Sequence, residues 1–289
     1  MYSANNSFQH SKSSLTMRTL ESVLKIVVVI LALLLVSCEE KIELRVNDKD
    51  HQLLVVEGMI TSDTTNHVVK LSSTGGFYHN DQTPRATGAS VSISDNMGNV
   101  FPLAEVLPGK YMTENDVYGQ VGRTYTLTVD YDGARFQASS TMKRVPEIDS
   151  LSYRWDPLKE SYRILLYGQE PEGKGDHYLF HLYKNGEKLT DPINKATIVN
   201  DEFIDGRYIN GFEVDWWSHD FDFQKGDVVT VAQHSITSEA FEFIAAVFTE
   251  HTSGQAGSRP PANIPSNVSN NALGLFHAAA ISCKTIVIE

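Results

Sequence analysis

The chain has 289 residues, 41% of them apolar and 21% charged, which excludes a disordered polymer and a polytopic membrane protein. Its 36 acidic residues against 24 basic ones leave a formal charge of −12. No basic excess is available to neutralise phosphates, so nucleic acid is not an expected partner.

The N-terminus reads as an address. Ile26 to Val36 is an unbroken apolar run, flanked on its N-terminal side by Arg18 and Lys25. As a helix it rises about 16 Å, roughly half of a bilayer's hydrocarbon core, so it suits the apolar region of a signal peptide and is short for a membrane span. Leu35-Val36-Ser37-Cys38 follows directly and resembles the bacterial lipobox, in which the cysteine thiolate is alkylated by a diacylglycerol donor. The expected signal peptide is 1–37, with Met17 as an alternative start, and Cys38 is the expected lipid attachment site. Removing 1–37 takes away three basic residues and one acidic one, leaving −14. Glu39-Glu40 resemble the acidic surface-export signal of Bacteroidota lipoproteins, which implies an outer-membrane, surface-exposed location, with the periplasmic face as the alternative. Cys283 is then the only free thiol, so no disulfide forms within the chain, and its apolar flank predicts a buried small side chain.

Residues 38–52 read as a linker. From Leu53 onward apolar and polar residues alternate, the strand period. Strands are expected at 53–60, 67–73, 88–95, 100–104, 109–111, 122–129 and 135–141, with Asp95-Asn96-Met97-Gly98 and Asp130–Gly133 as turns. Short strands with Gly, Asp and Asn turns every 8–12 residues or so indicate a β-sandwich over 53–144. Pro146 sits in the expected junction, Val145–Asp149. A second sandwich is expected over 145–289, with strands at 150–155, 162–167, 177–183, 227–236, 272–281 and 285–288. Asn185-Gly186 marks a hairpin. Phe241, Ile244, Ala245 and Phe248 form an apolar stripe that predicts one helix at about 238–252, with Ser238 as its N-cap. The expected fold class is therefore all-β, two tandem β-sandwich domains with one helix in the second.

Two resemblances follow from these motifs. Gly88-Ala89-x-Val91-x-Ile93-x-Asp95, Gly109-x-Tyr111 and Tyr125-x-Leu127-x-Val129 resemble a carboxypeptidase-regulatory or transthyretin-like sandwich, which carries no chemistry of its own. Over nearly the whole mature length the chain resembles the domain-of-unknown-function 4249 family of Bacteroidota lipoproteins. The carrying residues are Leu54-Val55-Val56-Glu57-Gly58, Val68-x-Lys70-Leu71-Ser72, Gly109-Lys110-Tyr111, Gly226-Asp227-x-Val229-x-Val231 and Ile264-Pro265-Ser266-Asn267-Val268 leading to Leu273-Gly274-x-Phe276. The resemblance implies a cell-surface role beside a TonB-dependent outer-membrane receptor, with no assigned activity.

The search for chemistry finds no zinc-protease, nucleophile-elbow, paired-cysteine or nucleotide motif. His177 and His181 stand about 13 Å apart on a regular strand, too far for one metal, and read as surface histidines. Asp215, Asp220, Asp222 and Asp227 lack the spacing of a calcium loop. His234 with Asp227 and Ser235 lacks an elbow for a triad, and Glu57 reads as a strand-edge carboxylate. Tyr78–Asp81 reads as a loop tip. The Pro/Asn-rich segment Arg259–Asn271 reads either as a docking loop or as a structural wrap. Phe212 to Phe223 is dense in aromatics and acids, and adjacent tryptophans cannot both face inward on a strand. Trp216, Trp217 and Asp220 are therefore the expected contact for a glycan or peptide ligand or for the receptor. No catalytic residue, metal or cofactor is assigned. The expected function is a non-catalytic accessory or ligand-capture lipoprotein; the alternative is a secreted hydrolase with an unrecognised active site.

Overall fold

The period-2 pattern becomes sixteen strands, accompanied by a single helix among the described residues. The computed structural model describes residues 52–74, 83–190, 195–215, 221–253 and 264–289. The all-β fold class with one helix is as expected.

Eight strands make the first sheet: β1 (Leu54–Thr61), β2 (Val68–Ser73), β3 (Ser90–Asp95), β4 (Val100–Leu107), β5 (Lys110–Thr113), β6 (Thr124–Tyr131), β7 (Ala134–Thr141) and β15 (Leu273–Ala279). Their order is β15-β1-β2-β5-β4-β3-β6-β7. Every pairing is antiparallel except β1 with β15, where Val56 lies opposite Gly274. The sheet curls until its outer strands meet. Ala278 donates its N–H to Ser140 Oγ at 3.0 Å, and Gln137 donates to Ser269 Oγ at 2.8 Å. The curl encloses Val56, Ile60, Leu71, Ile93, Leu127 and Phe276, all essentially inaccessible. The Asp95 turn forms as its composition predicts: the carboxylate accepts the N–H of Met97 and of Asn99 and pairs with Arg123.

Two further sheets face each other over a second core. One is β13-β9-β8, from β8 (Ser150–Asp156), β9 (Ser161–Gln169) and β13 (Tyr208–Glu213). The other contains β10 (His177–Lys184), β11 (Glu187–Lys188), β12 (Thr197–Asn200), β14 (Val228–Ile236) and β16 (Ile281–Val287), ordered β11-β10-β14-β16 with β12 also on β10. Ile164, Leu166, Phe180, Leu182, Phe223 and Val231 fill the space between them. Asn185-Gly186 turns β10 into β11, as its composition predicts, with both φ angles positive. β12 and β13 are strands that the alternation analysis does not place.

The helix α1 (Ser238–Ser253) packs on the opposite face of β10, against β12 and β15 as well. Ala240, Ile244 and Phe248 are buried there with Leu179, Ile236 and Leu275. Its N-cap is Thr237, whose Oγ1 accepts the Ala240 N–H at 3.3 Å, so Ser238 is not the cap.

A single run of chain serves both cores. It leaves the first sheet at Ala279 and enters the five-stranded sheet at Ile281. Ala280, at the crossing, is held by Ser235 through both its N–H and its C=O. The 145–289 segment thus contributes β15 to the first sheet. Cys283 lies on β16 and is exposed, not buried as its apolar flank suggests, because β16 is an edge strand.

Two outcomes follow from this packing. A Cβ at Gly274, where φ is +113°, would run into the Val56 carbonyl. Gly274→Ala should therefore lower the melting temperature sharply, as measured by circular dichroism, where most glycine-to-alanine changes in strands are mild. Phe248→Asp, which places a charge among the apolar contacts under α1, should cost about 3–5 kcal/mol in a denaturant titration.

Candidate functional site

Between the facing sheets lies a cavity of about 170 Å³. An apolar cavity of roughly 150 Å³ accepts a benzene-sized guest, so this one has room for a single ring. Leu166 of β9, Phe180 of β10, Val199 of β12 and Ile209 and Phe212 of β13 form its walls. A bulge in β13 makes this possible. The β13–β9 register slips between Asn210 and Phe212, with Gly211 at φ +84°. The extra residue turns both Ile209 and Phe212 toward the cavity, although they are three apart and a regular strand would send them to opposite faces. Phe212 then packs at 5.7 Å from Phe180, centroid to centroid.

The polar end is acidic. Glu170, just past β9, lines the cavity with 2% of its surface exposed. Tyr178 donates its hydroxyl to Glu170 Oε1 at 2.8 Å. Burial, reinforced by the charges of Asp176 and Asp201, pushes the Glu170 carboxyl up to about 7. Acceptor oxygens of Glu170, Asp176 and Asp201 lie within 4.8 Å of one another, which makes them a candidate cation cluster. Existing partners already engage them. Asp201 accepts the N–H groups of Gly175 and Asp176, and Arg144 pairs with Asp176 at 3.1 Å. Gln169 ties the turn at 201–206 to the end of β9 by donating to the Gly206 carbonyl, which sets Ile204 against the cavity.

The structure separates most of the other residues that the sequence brings to notice. Trp216, Trp217 and Asp220 lie outside the described residues, as do Cys38 and Tyr78–Asp81. Asp215 is fully buried and pairs with Arg163 at 2.9 Å, while Asp227 binds Lys184 at 3.0 Å in the turn before β14. Those two acids share no site. His234 and Ser235 point to opposite faces of β14, and Ser235 donates to the Lys143 carbonyl, so no triad forms. The described part of the Pro/Asn loop is a structural wrap. Asn267 clamps the N–H and C=O of Phe276, and Ser269 accepts from Gln137.

His177 rests half-buried against Phe241. His181 is buried, not a surface histidine: it bonds Thr190 Oγ1 at 2.8 Å and meets the His234 ring edge-on at 4.9 Å. His277 completes a neutral cluster on the face beneath α1, and its two ring nitrogens and His234 Nδ1 are buried without hydrogen-bond partners. Burial lowers the three imidazoles to about 2, 3 and 4 for His181, His234 and His277.

An all-β protein with an acid-ended apolar cavity is the class that fold and site define. The family model for a domain of unknown function (DUF4249) matches residues 39–285, and the chain belongs to that family. A search of curated proteins returns no significant match.

The titrating groups predict opposing pH effects. The unfolded chain protonates its histidines below about 6.5, whereas the folded cluster resists until about 4 or lower. Stability present at neutral pH is therefore lost as pH falls through that window, by about 2 kcal/mol per histidine between pH 6.5 and 5. His277→Leu should flatten that acid limb in melts at pH 7 and pH 5. Glu170 acts with the other sign, losing stability as pH rises from 4.5 to about 7. Glu170→Gln should raise the melting temperature at pH 8, with a smaller gain at pH 5.

Proposed function

We propose that this is a lipid-anchored, surface-exposed protein of the outer membrane that captures a small ligand without chemistry, as the accessory of a TonB-dependent transporter. The cavity is the observation that carries the capture reading. It is preformed, ring-sized and largely apolar, with a few polar groups in its lining, as in small-molecule sites generally. The anchor rests on the apolar run Ile26–Val36 followed by Leu35-Val36-Ser37-Cys38, and the surface location on Glu39-Glu40. Membership of a family with residues 39–285 in common supports a mature chain that starts at Cys38.

Anchoring is tested by Cys38→Ser. Lipid chains supply membrane affinity of about 0.8 kcal/mol per buried CH₂, so this variant should leave the membrane fraction after a carbonate wash. Retention in the membrane overturns the anchor. Capture is tested by Ile209→Trp, which fills the cavity. It should abolish uptake of a small aromatic probe such as phenethyl alcohol, seen by saturation-transfer NMR on the wild-type protein. Steady turnover of a glycan or peptide by the wild-type protein would favour the hydrolase alternative.

A further inference from the structure

We infer that the cavity between the facing sheets takes a ligand bearing an ammonium group on a ring-sized apolar body, with Glu170 as its counter-ion. This deepens the capture reading and rests on it. Three observations narrow the ligand class.

The first is size. A volume of about 170 Å³ admits one ring or a short branched chain and leaves no room for a sugar chain or an extended peptide.

The second is the sign of the lining. Among the described residues that line the cavity, Glu170 and the exposed Glu147 carry carboxyls, and none is a lysine, arginine or histidine. Asp176 and Asp201 stand behind Glu170, and Arg144 is committed to Asp176 and to the Glu172 carbonyl, away from the lining. A carboxylate ligand would meet Glu170 with Asp176 and Asp201 close by, and the nearby guanidinium of Arg144 is already paired with Asp176. An ammonium group would meet complementary charge.

The third is the state of Glu170. Its carboxyl accepts a hydrogen bond from Tyr178 and stands close to the carboxylates of Asp176 and Asp201. As a neutral acid it keeps the empty cavity free of an unpaired buried charge. When an ammonium group arrives, the carboxyl releases its proton to solvent and the charged pair forms, so that no net charge is left buried. Since Glu170 titrates near 7, binding should strengthen as pH rises through that value.

The experiment is a calorimetric titration of the full-length protein in detergent with phenethylamine, phenethyl alcohol and 3-phenylpropionate. Phenethylamine should bind more tightly than the alcohol by about tenfold or more at pH 8.5, the value of one charge-assisted hydrogen bond. That advantage should shrink at pH 5.5, and 3-phenylpropionate should bind most weakly. Glu170→Gln, which keeps the shape and the Tyr178 contact, should erase the amine's advantage over the alcohol. An alcohol or propionate that binds the wild-type protein as tightly as the amine at pH 8.5 overturns the ammonium inference and leaves the capture site standing. An amine advantage that survives Glu170→Gln overturns the assignment of Glu170. Failure of all three probes to bind overturns the capture reading together with the inference.

Discussion

The parallel contact between Val56 on β1 and Gly274 on β15 is the constraint from which the rest of the architecture follows. β15 approaches so closely that no side chain fits at Gly274. That approach lets Phe276 enter the first core, and Asn267 fixes Phe276 from the preceding loop. The same run of chain continues through Ala280 into β16, which pairs with β14 along its length. The position of β14 sets β10, and β10 provides one wall of the cavity. The cavity is thus positioned, element by element, from the far side of the molecule.

The polar groups of the interior divide into two kinds. Arg163 and Asp215 form a buried ion pair, with Asp156 as a second partner of Arg163, and removing either member of the pair would strand a charge. Burial holds the histidines neutral and raises the Glu170 carboxyl, to which the charges of Asp176 and Asp201 add. Glu170 lines a space large enough for a guest. It differs from the buried ion pair in that adjacent volume, since depth of burial is similar for both.

Much of the fold is legible in the sequence because strands of the first sheet have one buried and one exposed face, and alternation records that directly. Tyr125, Leu127 and Val129 on β6 are buried at every second position. The helix is equally plain from Ile244 and Phe248. The site is harder to read. β13 carries a bulge, so Ile209 and Phe212 share a face at a spacing that belongs to neither strand nor helix. Tyr178 to Leu182 on β10 is buried on both faces, so alternation vanishes and His181 gives no sign of its burial. Glu170 follows its strand with no motif around it; the signal that could have found it is the acid and tyrosine eight residues apart, and that pairing depends on a tertiary contact. Leu273 to Ala279 is recognisable as a core strand, but nothing local says which sheet receives it.

That late strand also governs the order in which the molecule can be completed. A polypeptide emerges from its ribosome, or from any translocation pore, N-terminus first. β1 is among the earliest segments to appear and its parallel neighbour among the last, so one side of β1 has an unsatisfied ladder until residue 279 is free. Contacts this distant in sequence form slowly, since a long loop must close before they are gained. The first core therefore cannot lock while the chain is still being threaded. A chain built this way keeps one edge of β1 open until its last strands arrive.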